Sequence, residues 1–129
     1  MRPPAGAQRF DELREGKVNT RPSLDIRHET VGEGSHTLHV NGELDLASAG
    51  QLETSIAELC TDGATQVVLE MAELSFMDST GLRSLLVSQE LCTVNDCVLL
   101  LGTLSPQVER LLDVSGVDGR LPRLKKHDS

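Results

Sequence analysis

The sequence has almost no aromatic residues: it contains no Trp, no Tyr and only two Phe. It also lacks a run of about 20 apolar residues, the length that a membrane-spanning helix requires. Its first residues do not have the basic segment followed by an apolar one that is typical of a secretory signal. These absences argue against a membrane protein and a secreted one, and they predict a soluble protein of the cytoplasm.

Cysteine is scarce as well, with Cys60, Cys92 and Cys97 as the three in the chain. An odd number argues against a disulfide framework, and the spacing is not that of a zinc site. We therefore expect buried free thiols, because free Cys is among the most buried residue types. A redox role for these thiols stays open, since it depends on their exposure.

Basic residues are nearly absent from the middle of the chain. Residues 23–118 contain three, Arg27, Arg83 and Arg110, against sixteen acidic residues, which gives a net charge of −13. The flanks are basic by contrast, at 1–22 and 119–129. Because nucleic acids and anionic membrane surfaces are bound through Lys and Arg, this charge argues against both and favours a protein partner.

Apolar and polar residues alternate in two segments, 23–31 and 36–46, which are separated by the turn sequence Gly-Glu-Gly-Ser at 32–35. Alternation with a period of two is typical of half-buried strands, so the two segments predict a β-hairpin. The apolar positions of the second segment are Leu38, Val40 and Leu44.

Two helices are predicted in the middle of the chain. Residues 48–63 have helical apolar spacing, with Ser48 and Gln51 in the positions of a capping box and Gly63 at the end. After the polar residues at 78–81, leucines at 82, 85 and 86 resume helical spacing. They are most simply core residues, although Leu82 or Leu86 could be exposed at a partner-binding edge.

The β-branched apolar run at 65–74 and the continuous apolar run at 97–102 predict two buried strands. A third helix is predicted at 105–116, because this segment starts with Ser-Pro and ends with Gly. A weak last strand at 119–124 would close the edge of the sheet, where Pro122 is tolerated.

The alternation of strands and helices predicts an α/β fold with a mixed, mostly parallel sheet. Because the two opening strands pair as a hairpin, we expect the helices to pack on one face. We assign residues 23–124 to this single domain. Residues 1–22 are predicted to be a flexible leader, in which 9–15 could form a short helix, and residues 125–129 a flexible tail.

A polar stretch, Asp78-Ser79-Thr80-Gly81, stands between an apolar segment and a helical pattern. Backbone N–H groups at a helix N-terminus lack intrahelical acceptors, so Asp78 or Ser79 could serve as the N-cap. The same position favours anions, so the Ser79 hydroxyl could also carry a phosphate, within reach of Arg83 one turn later. The two interpretations are compatible.

The segments "NGELDLASAGQLE", "LSFMDSTGLRSLL" and "LLLGTLSPQVERLLDVSGVD" together resemble the STAS domain family, and within it the anti-sigma factor antagonists of bacteria. The resemblance covers about residues 23–121. It implies a sheet with helices on one side, no catalytic activity and no cofactor. It also implies a serine, in an Asp-Ser-Ser/Thr-Gly motif, that is phosphorylated by an anti-sigma factor with serine kinase activity.

By this resemblance the phosphorylated residue is Ser79, with Thr80 as a rival acceptor because Thr follows Ser in the motif here. Asp45, at the end of Gly-Glu-Leu-Asp, would lie near the serine and contact the kinase. The residues expected to bind the partner are Asp45, Met77, Asp78, Thr80, Gly81 and Arg83. The implied partners are the anti-sigma kinase, which the unphosphorylated protein would bind to release a sigma factor, and a serine phosphatase.

Other functions have less support from the sequence. One alternative is a STAS scaffold or accessory subunit of a stress-signalling or transport complex, with Ser79 unmodified. A hydrolase is disfavoured because Ser79 lacks the Gly-x-Ser-x-Gly context of a nucleophile elbow. A metal site at His36 and His39 is also disfavoured, because an odd offset on a strand points two side chains to opposite faces.

Overall fold

The computed structural model describes residues 23–124. Within this range the chain forms strands and helices in the order two strands, helix, two strands, helix, strand, helix. Their bounds are β1 Leu24–Gly32, β2 Ser35–Leu44, α1 Ala49–Thr61, β3 Gln66–Met71, β4 Leu74–Met77, α2 Ser79–Val94, β5 Val98–Leu104 and α3 Pro106–Ser115, followed by a short 3-10 helix, Asp118–Arg120.

The strands form one mixed sheet in the order β1-β2-β3-β5, with β4 beside β2. β1 and β2 pair antiparallel as the predicted hairpin, and the other pairs are parallel. The long β2 has two partners on one edge: its first half pairs with β3 and its last residues pair with β4. The prediction of an α/β fold with a mixed, mostly parallel sheet is confirmed.

One face of the sheet carries the core and the other is polar. The inward residues of β2, Leu38, Val40 and Leu44, are at most 2% exposed. The helices cover this face with apolar side chains that are fully buried: Leu52, Ile56, Leu85, Val108 and Leu112. The opposite face carries polar side chains such as Arg27, His39 and Glu70. The helices therefore pack on one face, as predicted.

The prediction of a single strand at 65–74 is wrong, because the chain turns at residues 72–73 and β4 continues beside β2 instead of extending β3. β2 is ten residues long and β3 is six, so the end of β2 has backbone groups that β3 does not reach. β4 pairs with those groups, and Leu74 becomes fully buried in the process. An unpaired buried strand edge is unfavourable, which explains the separate strand.

The predicted capping box of α1 is also wrong. The Ser48 hydroxyl does not cap the helix: it donates to the carbonyl oxygen of Glu43 at 2.8 Å and accepts from the backbone N–H of Asp45 at 3.0 Å. The Gln51 side chain donates to the carbonyl oxygen of Leu24 at 3.1 Å, across to the hairpin. Both side chains therefore hold α1 against the sheet.

The remaining predictions concern the last elements and the leader. Helix α3 begins at Ser105-Pro106 and ends at Gly116, which has a φ of 72°, as predicted. The weak strand at 119–124 is reduced to a bridge between Leu101 and Arg123 on the edge of β5. The helix at 9–15 lies outside the described residues. Within residues 23–124, no helix is long and apolar enough to cross a membrane.

Candidate functional site

The polar motif lies where two parallel strands end side by side. Leu44, the last residue of β2, is in register with Met77, the last residue of β4. Asp45 and Asp78 follow these two residues, so both leave the sheet at the same edge. The carboxyl ends of parallel strands are a common position for functional residues in α/β folds. β2 ends two residues earlier than predicted, which leaves Leu46 exposed in the connecting turn.

Helix α2 begins with a side-chain cap from Asp78. The backbone of Asp78 is extended, and its Oδ1 accepts a hydrogen bond from the N–H of Gly81 at 3.0 Å. The carbonyl oxygen of Asp78 accepts from Leu82 N–H at 2.9 Å, which is the first intrahelical bond. Asp78 is therefore the N-cap, and Ser79 is the first helical residue.

The residues of the motif differ in exposure. Ser79 and Arg83 are exposed, whereas Asp78 and Thr80 are partly buried. Met77 is only 8% exposed and belongs to the hydrophobic core. Within the first five residues of α2, 79–83, the exposed side chains are thus Ser79 and, one helical turn later, Arg83.

Gly81 holds the start of α2 against the end of β2. A Cβ atom at this position would lie 2.2 Å from the carbonyl oxygen of Leu44 and 2.8 Å from Cγ of Met77. Such distances are far inside van der Waals contact, so only glycine permits this approach. The close contact explains why glycine follows Asp-Ser-Thr, a packing role that the sequence did not reveal.

Asp45 organises the turn between β2 and α1. Its Oδ1 accepts from the N–H of Ala47 at 3.1 Å and lies 3.2 Å from the Ser48 hydroxyl. Its carbonyl oxygen accepts from the N–H groups of Ser48 and Ala49. Asp45 therefore has a structural role in this turn, beside the edge at which α2 starts.

An open groove lies next to the motif, between β4 and α3. It has a volume of about 540 Å³ and is lined by apolar and polar side chains, including Phe76, Met77, Arg110 and Val114. Phe76 is 46% exposed and Val114 is 74% exposed. This surface leaves no local pattern in the sequence, because the residues that line it come from two elements that are distant in the chain.

The three histidines within residues 23–124 do not converge on one site. His36 Nδ1 lies 2.8 Å from His28 Nε2, whereas His39 Nε2 lies 2.9 Å from Glu29 Oε1. The two members of the His-x-x-His pair therefore have different neighbours on opposite faces of β2, as the strand offset predicts.

The three cysteines form a buried cluster. The Sγ atoms of Cys60, Cys92 and Cys97 all lie within 4.8 Å of one another, and the first two are 3.9 Å apart. All three are buried, which confirms the prediction of buried free thiols. Burial raises the pKa of the Cys92 and Cys97 thiols, so both are neutral in the folded protein. Their clustering was not predicted, since they come from α1, α2 and the start of β5.

Comparisons with known proteins agree with this architecture. The STAS domain family model matches residues 27–127. The anti-sigma-B factor antagonist of Staphylococcus epidermidis is 30% identical over 95 residues, which cover 73% of this chain and 88% of the relative.

Two solved structures have the same fold. An anti-sigma factor antagonist from Mycobacterium paratuberculosis superposes with a TM-score of 0.70 at 23% identity, covering 86% of this chain and 93% of the other. The Bacillus cell fate determinant SpoIIAA, in its phosphorylated form, gives a TM-score of 0.61 at 23% identity, covering 79% and 93%. Because the family model matches most of this chain, the chain belongs to the STAS domain family, and its relatives include anti-sigma factor antagonists.

Proposed function

We propose that this protein is an anti-sigma factor antagonist that binds an anti-sigma factor with serine kinase activity and is released when Ser79 is phosphorylated. Binding would free a sigma factor for transcription, and a serine phosphatase would restore the binding form. The observation that carries the proposal is the exposed Ser79 at the first position of α2, where Asp78 supplies the cap in its place. The Ser79 hydroxyl is therefore not needed to cap the helix.

Ser79 is a better phosphate acceptor than Thr80 for a geometric reason. Ser79 is exposed, whereas Thr80 is partly buried at the start of the helix. A kinase must bring the γ-phosphate of ATP in line with the acceptor hydroxyl, so access to the oxygen decides between neighbours. The positive end of the α2 dipole and the side chain of Arg83 would both stabilise a phosphate on Ser79 within the folded protein.

The same phosphate would oppose a docked partner. It carries a charge of about −1.5 to −2 at neutral pH, and it would stand directly after Asp78 in a domain that is strongly acidic. In an interface that excludes water, such a charge must be paired or the complex is weakened by desolvation and repulsion. A difference of about 3 kcal/mol in binding free energy would lower the affinity more than a hundredfold.

The groove beside the motif adds a surface for the partner. Exposed apolar side chains at its rim, Phe76 and Val114, could bury area against an anti-sigma factor, and Arg110 provides one of the few positive charges. The solved structure of SpoIIAA in a phosphorylated form supports the idea that this fold tolerates the modification. In this proposal, apolar contacts in the groove supply the affinity for the anti-sigma factor, and a phosphate on Ser79 beside the groove lowers that affinity.

The test uses the cognate anti-sigma kinase, ATP and mass spectrometry of the full chain. We expect one phosphate, on Ser79, and a large loss of affinity after modification. Ser79→Ala should abolish modification and keep binding, while Thr80→Val, its matched control, should keep both. Ser79→Glu should bind more weakly than wild type but more tightly than the phosphoprotein, because a carboxylate has one charge and fewer acceptor oxygens.

Two results would overturn the proposal. If Ser79→Ala were still phosphorylated and Thr80→Val were not, Thr80 would be the acceptor. If the phosphoprotein bound the kinase as tightly as the unmodified form, there would be no switch, and a scaffold role in a larger assembly would take its place.

Asp45 requires a test that separates charge from structure. Asp45→Asn keeps an acceptor oxygen for the N–H of Ala47 and removes the negative charge, whereas Asp45→Ala removes both. If the carboxylate contacts the kinase, Asn and Ala should weaken binding or slow phosphoryl transfer to a similar extent, with the fold intact by circular dichroism. Normal binding and transfer in Asp45→Asn, with loss of stability in Asp45→Ala, would leave Asp45 a purely structural role.

A further inference from the structure

The three thiols lie together although they are far apart in sequence. Cys60 is near the end of α1, Cys92 is in the last turn of α2, and Cys97 directly precedes β5. Their exposed fractions are 9%, 0% and 5%. The cluster therefore joins three elements at the end of α2 opposite to the one that carries Ser79.

The turn after α2 brings the third thiol into place. Asn95 ends the helix, its side chain donating to the carbonyl oxygen of Leu91 at 2.8 Å. Asp96 has a φ of 59°, a left-handed conformation that Asp tolerates better than most residues. The chain then reverses, and the N–H of Cys97 donates to the carbonyl oxygen of Cys92 at 2.8 Å. This backbone bond fixes the two cysteines next to each other.

The distances between the Sγ atoms suit coordination of one central atom by all three sulfurs. Three sulfurs bound to one atom at about 2.3 Å, with bond angles of about 100–120°, lie about 3.5–4.0 Å from one another. The 3.9 Å between Sγ of Cys60 and Sγ of Cys92 lies within this range, and the 4.8 Å span of the whole group exceeds it by less than about 1 Å. Small rotations of the side chains would bring all three sulfurs to one atom.

Coordination number and charge select the kind of ion. The cluster offers three sulfur ligands, and within residues 23–124 no His, Asp or Glu belongs to it. A zinc ion prefers four ligands and would leave a net charge of −1 with three thiolates, while Cu(I) would leave −2. Charge is unfavourable in an apolar core without a partner of opposite sign. A trivalent atom bound by three thiolates is neutral and needs no fourth ligand.

We propose that Cys60, Cys92 and Cys97 form a binding site for a trivalent thiophilic metalloid, of which arsenic(III) is the representative. Arsenous acid, As(OH)₃, would exchange its three hydroxides for the three sulfurs. Three As–S bonds form, three As–O bonds break, and each thiol proton leaves with a hydroxide as water. No atom changes oxidation state, so the exchange requires no oxidant or reductant. The burial of all three cysteines favours this neutral product over an anionic one.

The site is separate from the proposed phosphorylation site. Cys92 is thirteen residues after Ser79 on the same helix, which corresponds to about 20 Å along its axis. Arsenic binding should therefore leave phosphorylation of Ser79 unchanged. Failure of one proposal would not imply failure of the other.

The test treats the full chain with arsenous acid in a buffer without thiols. We expect one arsenic atom per chain by mass spectrometry, with the loss of three protons. Iodoacetamide added after unfolding should then alkylate three thiols in the untreated protein and none in the complex. The melting temperature should rise with arsenous acid until one equivalent is bound.

Single substitutions show whether all three sulfurs take part. Cys60→Ala, Cys92→Ala and Cys97→Ala should each bind arsenic at least about tenfold more weakly than wild type. Ser88→Ala is the matched control, because Ser88 is a small buried residue one turn before Cys92 in α2 and has no thiol. It should bind like wild type. Should a cysteine variant fail to fold, the stoichiometry and thiol protection of the wild type still test the proposal.

Three outcomes would overturn it. The wild type could fail to bind arsenic at one equivalent, or it could leave one or more thiols open to alkylation in the complex. Tighter binding of Zn²⁺ than of arsenous acid, with all three thiols protected, would contradict the charge argument that selects a trivalent ion.

Discussion

At the scale of single residues, Asp78 caps helix α2 and Ser79 presents a free hydroxyl, two roles that the sequence alone does not assign to one residue or the other. Either residue type is a good N-cap. In the structure, Asp78 has the extended backbone of an N-cap and binds the N–H of Gly81, while Ser79 has entered the helix. The division matters because a hydroxyl that caps a helix cannot be modified without loss of the cap.

This division predicts unequal effects on stability. Asp78→Ala should lower the free energy of unfolding by about 1 kcal/mol, since it removes the cap. Ser79→Ala should change it by less than about 0.5 kcal/mol, because an exposed side chain is lost. Urea unfolding followed by circular dichroism measures both, with Asp78→Asn as a control that keeps a capping oxygen. Equal losses for Asp78→Ala and Ser79→Ala would mean that the two residues share the cap.

The sequence locates the residues of the candidate site more readily than it shows their arrangement. Asp78, Ser79 and Thr80 are neighbours in the chain, so a strand followed by a helix suffices to locate them. Asp45 was connected to them by family resemblance, and the physical reason is the register of Leu44 with Met77, which a sequence does not contain. The cysteine cluster left no local pattern, because its members meet through the packing of α1, α2 and β5.

At the scale of elements, the main error was the boundary between β3 and β4. Six of the ten residues in segment 65–74 are apolar and none is Gly or Pro, so the segment has no strong signal for a turn at Ala72 and Glu73. The turn is imposed by tertiary structure, since β2 is longer than β3 and offers pairing sites to a second strand. Helices α1 and α3 were predicted correctly because Gly63 and Gly116 mark their ends.

The contact between α2 and β2 predicts opposite effects for two Gly→Ala substitutions in helices. Gly81→Ala should destabilise the protein by about 1–3 kcal/mol, because its Cβ would collide with the carbonyl oxygen of Leu44. Gly50→Ala in α1 is the matched control: a Cβ there meets nothing within 4 Å, and alanine favours helix by up to about 1 kcal/mol. Thermal unfolding of both variants measures the difference. Stabilisation by Gly81→Ala would show that α2 can move away from β2.

At the scale of the whole molecule, a strongly acidic domain carries an open groove with exposed apolar side chains. Residues 23–118 have a net charge of −13, yet Arg83 on α2 and Arg110 on α3 lie near the proposed contact surface. Acidic charge of this size repels anionic polymers and keeps the protein dispersed. The groove between β4 and α3 offers exposed apolar side chains to a partner. An acidic domain with an apolar groove is more compatible with the proposed protein partner than with a nucleic acid.

The extent of the core leads to a prediction for truncations. The buried apolar residues of the described range run from Leu24 to Leu121, so deletion of residues 1–20 should change the melting temperature by less than about 4 °C. A deletion of residues 1–26 is the control. It removes Leu24, which is 1% exposed, and the carbonyl oxygen of Ser23, which accepts from the N–H of Glu43. Loss of one buried leucine alone lowers stability by about 2–5 kcal/mol, so this longer deletion should melt well below the shorter one. If deletion of residues 1–20 destabilised the protein as strongly, the leader would be part of the folded domain, and the boundary at residue 23 would be wrong.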